Sequence, residues 1–143
     1  MATPEDCLFC RIAAGDEPAQ VVFEDERTMA FLDTRPLFHG HALLIPRDHH
    51  ETLADLPGDL LEPLFANAQL LSRVIPEAMK KPGSFVAVNN VVSQSVPHLH
   101  CHVVPRVKKD GLRGFFWPRH KYSHDDHAAE TAELIRAEIQ RMS

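Results

Sequence analysis

Over the first third of the chain, apolar residues come in short runs set off by Gly, Pro and acidic positions. The middle of the chain changes to a spacing of three and four. The runs 20–24 (QVVFE), 28–33 (TMAFLD) and 41–46 (HALLIP) predict three strands. An acidic turn at Asp25 and Glu26 joins the first two. Residues 34–38 form a loop, because Pro36 disfavours helical geometry at Arg35. From 60 to 79, Leu60, Leu64, Ala68, Leu71 and Ile75 put an apolar stripe on one face of a helix. Pro63 lies near its start, and Pro76 is expected to kink or end it. Residues 85–89 and 98–106 predict two more strands around a loop at 90–97. A long loop follows, carrying Gly111, Gly114 and Trp117, whose ring either covers a pocket or packs within the loop. Residues 125–142 predict a last helix on Ala129, Ala132, Ile135 and Ile139, with Asp125 or Asp126 as its cap. The pattern implies one α+β domain over 1–143, an antiparallel sheet of about five strands with helices against one face.

Composition narrows the class. Charged residues make up 24% and the net charge is −5, with no run of Lys or Arg. That argues against nucleic acid as a partner, since phosphate backbones require clustered cations. No apolar run reaches the roughly 18 residues needed to cross a membrane, and the N-terminal residues lack the pattern of a signal peptide. A cytoplasmic protein is expected. In that compartment the three cysteines favour metal or redox chemistry over disulfides. Cys7 and Cys10 form a Cys-x-x-Cys pair, and Cys101 reads as a core residue.

The strand at 98–106 carries the chemistry. Side chains alternate across a strand, so His98, His100 and His102 share one face, roughly 6.6 Å apart in sequence. Leu99, Cys101 and Val103 point into the core. Three imidazoles in a row suit either a metal site or nucleophilic attack by a neutral imidazole on phosphorus. No carboxylate lies between Asn89 and Lys109, whereas Ser93, Gln94 and Ser95 place hydroxyl and amide groups beside the histidines. That set binds phosphoryl oxygens better than transition metals, which favours phosphorus chemistry.

The segment His98-Leu99-His100-Cys101-His102-Val103-Val104 resembles the His-φ-His-φ-His-φ-φ signature (φ apolar) of the histidine triad (HIT) superfamily. The segments 7–12 (CLFCRI), 31–36 (FLDTRP), 40–46 (GHALLIP) and Asn89-Asn90 also resemble family segments, in family order. The resemblance implies a HIT-like fold and a hydrolase of purine nucleoside phosphoramidates or related adenylates. Hydrolysis of dinucleoside polyphosphates and a nucleotide-binding regulatory module are the alternatives. It further implies that His100 is the nucleophile and forms a nucleotidyl-histidine, and that His102 contacts the phosphate and the leaving group. Gln94 and Ser95 would bind the phosphate, Asp33 the ribose hydroxyls, and Phe31 would flank the purine, with Asn89 also in the substrate site. A same-strand carbonyl would fix the tautomer of His100. The loop between Asn90 and Gln94 is shorter than is usual in the family and lacks glycine.

Some family members bind zinc through the positions matched by Cys7, Cys10, His49 and His98, so a structural zinc site with His98 as a shared residue is expected. Without the resemblance, Cys7 and Cys10 remain open to a redox reading. A homodimer is expected as well, since small relatives pair through a helix and a sheet edge. The helix at 60–79 supports this, because it carries Leu61, Phe65, Leu70 and Val74 outside its main stripe.

Overall fold

The computed structural model describes residues 5–113 and 119–143. Trp117 and the rest of 114–118 lie outside the described residues. The described chain falls into two compact units, Met1–Asp110 and Gly111–Ser143. The first runs α1 (Leu8–Ala14), β1 (Val21–Glu24), β2 (Thr28–Leu32), β3 (Ala42–Pro46), a short 3-10 turn (Leu53–Asp55), α2 (Gly58–Met79), β4 (Gly83–Val88) and β5 (Cys101–Arg106). The second holds α3 (His127–Met142).

The five strands form one sheet in the order β1-β2-β3-β5-β4, antiparallel at every joint. Alternation along the strands separates two cores. Ala30, Ala42, Leu44, Cys101 and Val103 face α2, whose Leu60, Leu64, Ala68, Leu71 and Ile75 are buried against them. Met29, Phe31, Leu43 and Ile45 face the other way and pack against Phe9 and Ile12 of α1. α2 thus covers one face as expected, and the short α1 covers part of the opposite one.

Several boundaries differ from the sequence pattern. α2 starts at Gly58, two residues before the expected helix, and passes through Pro76 to end at Met79 as the spacing predicts; Lys80 stops it in the left-handed conformation, φ 56°. β5 begins at Cys101, and the residues 98–100 before it are held by isolated bonds, His98 N–H to the Val96 carbonyl and Leu99 N–H to the His50 carbonyl. Asp126 takes the N-cap position of α3, but its side chain makes no capping bond. The Ser123 N–H instead donates to His127 Nδ1. None of the α3 side chains is buried.

One glycine sets the approach to β3. Gly40 has φ 99°, and a Cβ there would fall 2.7 Å from Met79 Cγ. Only glycine meets both demands, and the next residue it delivers is His41, buried at the edge of the histidine cluster.

Candidate active site

α1 forms where Cys7 caps its start, accepting from the Cys10 N–H at 3.4 Å. Gly15 ends it at φ 83°, with its N–H on the Ile12 carbonyl. This turn aims both thiols at the histidines. Cys7 Sγ lies 3.4 Å and Cys10 Sγ 3.5 Å from His98 Nδ1, and Cys10 Sγ lies 3.3 Å from His49 Nδ1. The four donor atoms of Cys7, Cys10, His49 and His98 all fall within 4.8 Å of one another. His98 Nε2–H donates to the Pro46 carbonyl at 2.8 Å, so Nδ1 presents a lone pair to the thiols. Burial, foremost, pushes His98 down to about 4, which keeps it neutral. Burial and the neighbouring Cys7 push the Cys10 thiol up to about 12; a cation among these donors would reverse that and favour the thiolate. His98 therefore sits with the thiols.

His100 is 3% exposed, and its Nδ1–H donates to the His98 carbonyl at 2.7 Å. A carbonyl only accepts, so the proton must sit on Nδ1, and Nε2 carries the lone pair. Phe9 lies edge-on to the ring, centroids 5.1 Å apart at 88°.

A second proton chain fixes His102. The Leu37 N–H donates to His41 Nδ1 at 3.0 Å, which leaves the His41 proton on Nε2. That Nε2 lies 2.9 Å from His102 Nδ1 and donates to it. His102 consequently carries its own proton on Nε2, free for a ligand. Burial is the main cause that lowers His41, and it brings His102 down to about 4. Both rings are neutral in this arrangement. Along the sequence His41 stands only as the first residue of the 41–46 run; a histidine between Gly40 and an apolar run is the signal that it needs a polar partner.

A cleft of about 400 Å³ joins these parts. Asp33, Thr34, Arg35, Ser95, His100 and His102 line it together with Glu17 and the apolar Leu8, Phe9, Ile12, Phe31 and Leu43. Asp33 Oδ1 accepts the Arg35 N–H at 2.9 Å, and Oδ2 stands 3.8 Å from His41 Nε2. The carboxylate therefore closes its turn and still faces the cleft. Asn89 and Gln94 are not among the lining residues. Gln94 clamps its own loop instead: Oε1 accepts the Val91 N–H, and Nε2 donates to the Glu51 carbonyl. Asn90 pins the same loop by accepting the Leu53 N–H.

This short loop carries strain. Val91 and Ser93 have φ of 68° and 61°, and the Val92 N–H closes a three-residue turn onto the Asn90 carbonyl. A β-branched residue is poorly suited to that region. Val91 is 75% exposed, so its side chain contributes little packing. Val91→Gly is expected to stabilise the protein by about 1 kcal/mol, read as a higher midpoint in urea. A lower midpoint would show that the loop is not strained there.

Comparison with known proteins gives the family. The HIT domain family model matches residues 14–109. The chain belongs to the HIT domain family. It is 32% identical to the adenylylsulfatase HINT3 of Arabidopsis thaliana over 141 residues, covering 94% of this chain and 70% of that one. It is 30% identical to the adenosine 5′-monophosphoramidase HNT1 of Candida albicans, covering 99% and 97%. A crystal structure of a zinc-bound histidine triad family protein from Mycobacterium smegmatis superposes with a TM-score of 0.72 at 33% identity, covering 98% and 97% of the two chains. The five-stranded antiparallel sheet is thus that of a HIT-family α+β fold.

Proposed function

We propose that this HIT protein is a nucleotidyl hydrolase acting on purine nucleoside phosphoramidates or related adenylates through a covalent nucleotidyl-His100. The observation that carries the reading is the tautomer of His100, with Nδ1–H on a backbone carbonyl and a lone pair on Nε2 at a cleft. Two relatives named for cleaving adenylates support the substrate class.

In this reading His100 Nε2 attacks the α-phosphorus, and the bond from phosphorus to the leaving group breaks as the N–P bond forms. His102 Nε2–H donates to a phosphoryl oxygen. His102 keeps a single proton, on Nε2, because the His41 Nε2–H occupies its Nδ1. The departing amine takes its proton from solvent water at the cleft, and the water that hydrolyses the intermediate gives one proton back to solvent as the N–P bond to His100 breaks. His41 holds His102 in the required tautomer, Asp33 accepts from the ribose hydroxyls, and Phe9 and Phe31 flank the base. Ser95 stays with the phosphate. The Gln94 side chain positions the loop, and Asn89 lies outside the lining.

The four-residue cluster is assigned to a structural zinc ion. Four protein donors would close a tetrahedral site, whose S···N edges measure roughly 3.5 Å, and the sulfur–nitrogen separations of 3.3 to 3.5 Å suit it. The zinc-bound relative supports the choice of metal. Bound there, zinc would keep the thiols deprotonated and tie α1 to the triad strand.

The test compares kcat/KM for adenosine 5′-phosphoramidate and diadenosine tetraphosphate. The phosphoramidate is expected to react at least about tenfold better. The reverse order would make the protein a polyphosphate hydrolase, and binding without turnover would make it a regulatory module. The protein is further proposed to act as a homodimer. Leu61, Phe65 and Val74 of α2 are exposed, Leu70 is half-buried, and β4 has β5 as its only strand neighbour among the described residues. Light scattering at micromolar concentration should return about twice 16.1 kDa; the single-chain mass would exclude the dimer.

A further inference from the structure

The lining of the cleft holds one acidic residue that closes no turn. Glu17 lines it together with the apolar Leu8, Phe9 and Phe31. Its side chain is 42% exposed, and Arg11 Nε lies 3.7 Å from Oε2. Arg11 is itself anchored, donating to the Glu5 carbonyl at 3.1 Å. Glu17 is thus a carboxylate at the cleft, held by a cation that is also tied to backbone. Asp33, the other carboxylate in the lining, closes its own turn and stands beside His41, at the histidine part. With the phosphate at His100 and the ribose at Asp33, Glu17 is left to meet the base.

A carboxylate accepts hydrogen bonds and donates none. The two purines present different edges to such a group. Guanine offers N1–H and the N2 amine side by side, two parallel donors that fit the two oxygens of one carboxylate. Adenine offers its N6 amine beside the bare N1 lone pair, so one bond forms and a lone pair faces the negative charge. We propose that Glu17 is a specificity-determining residue that makes this site prefer guanine over adenine nucleotides. The inference rests on the purine nucleotide reading given above and adds the base to it. Because Glu17 is partly exposed and water competes for the same donors, the preference is about tenfold rather than the larger factor of a sealed pocket.

Calorimetric titration of the full chain with GMP, IMP and AMP tests this. IMP keeps N1–H but lacks the N2 amine, so it separates the two donors. The expected order is GMP, then IMP, then AMP, with GMP about tenfold tighter than AMP. In Glu17→Gln, whose amide donates as well as accepts, the ratio of GMP to AMP affinity is expected to fall below about threefold. AMP binding as tightly as GMP in the wild type, or a tenfold ratio that survives in Glu17→Gln, would overturn the assignment of Glu17. IMP equal to GMP would overturn the paired-donor geometry. Failure of all three to bind would overturn the purine nucleotide site itself, and that outcome is distinct from binding without preference.

Discussion

His100→Asn is expected to lower kcat at least about a thousandfold while leaving AMP affinity within about tenfold of wild type. Asparagine overlays the inner atoms of the imidazole and keeps an N–H for the His98 carbonyl, but it has no ring nitrogen with a lone pair to attack phosphorus. The groups assigned to binding lie elsewhere in the lining: Phe9 and Phe31 for the base, Asp33 for the ribose and Ser95 for the phosphate. The loss therefore falls on the chemical step. Single-turnover kinetics and equilibrium binding of the same preparation separate the two. A variant that keeps more than a tenth of the wild-type kcat would reject His100 as the nucleophile. A variant that no longer binds AMP would reject the separation of binding from attack.

The second large effect falls on the thiols. Protein purified without chelator is expected to hold about one zinc per chain. The double variant Cys7→Ser, Cys10→Ser is expected to hold none and to melt about 10 °C lower. The loss should exceed that of two surface substitutions. Cys7 caps α1 and lies in the buried cluster with Phe9, Phe31 and Leu43, while Cys10 packs against the edge of that cluster. It should also reach catalysis. His98 holds the His100 Nδ1–H with its own carbonyl and faces the thiols with its ring. Releasing the ring loosens that carbonyl, so kcat should fall, though by less than in His100→Asn. Metal analysis that finds no zinc, or an unchanged melting temperature in the double variant, would remove the site.

Much of this arrangement was legible along the chain, for a physical reason. A strand repeats every two residues, so the spacing of His98, His100 and His102 already placed the rings on one face, with Leu99, Cys101 and Val103 in the core behind them. The apolar stripe of α2 likewise marked its buried side. What stayed hidden depends on contacts distant in sequence. α1 is a single short helix whose ends are set by Cys7 and Gly15 rather than by a long apolar period. The bond from His41 to His102 joins residues 61 positions apart and becomes apparent only when β3 lies beside β5. Gln94 reads as a phosphate ligand from its place before the triad, yet its amide is engaged by Val91 and Glu51. The missing glycines in that loop were visible. Their consequence, positive φ at Val91 and Ser93, required the backbone. Pro76 lies inside α2, which ends at Met79, where the helical spacing itself ends.

The covalent intermediate is the claim on which the reading turns. Mass spectrometry of protein quenched in acid-free conditions during steady turnover of adenosine 5′-phosphoramidate tests it most directly. An adenylyl adduct that maps to His100, forms as fast as the enzyme turns over and is absent from His100→Asn is the predicted result. Undiminished turnover with no adduct on any histidine, in samples quenched across the first turnovers, would contradict it.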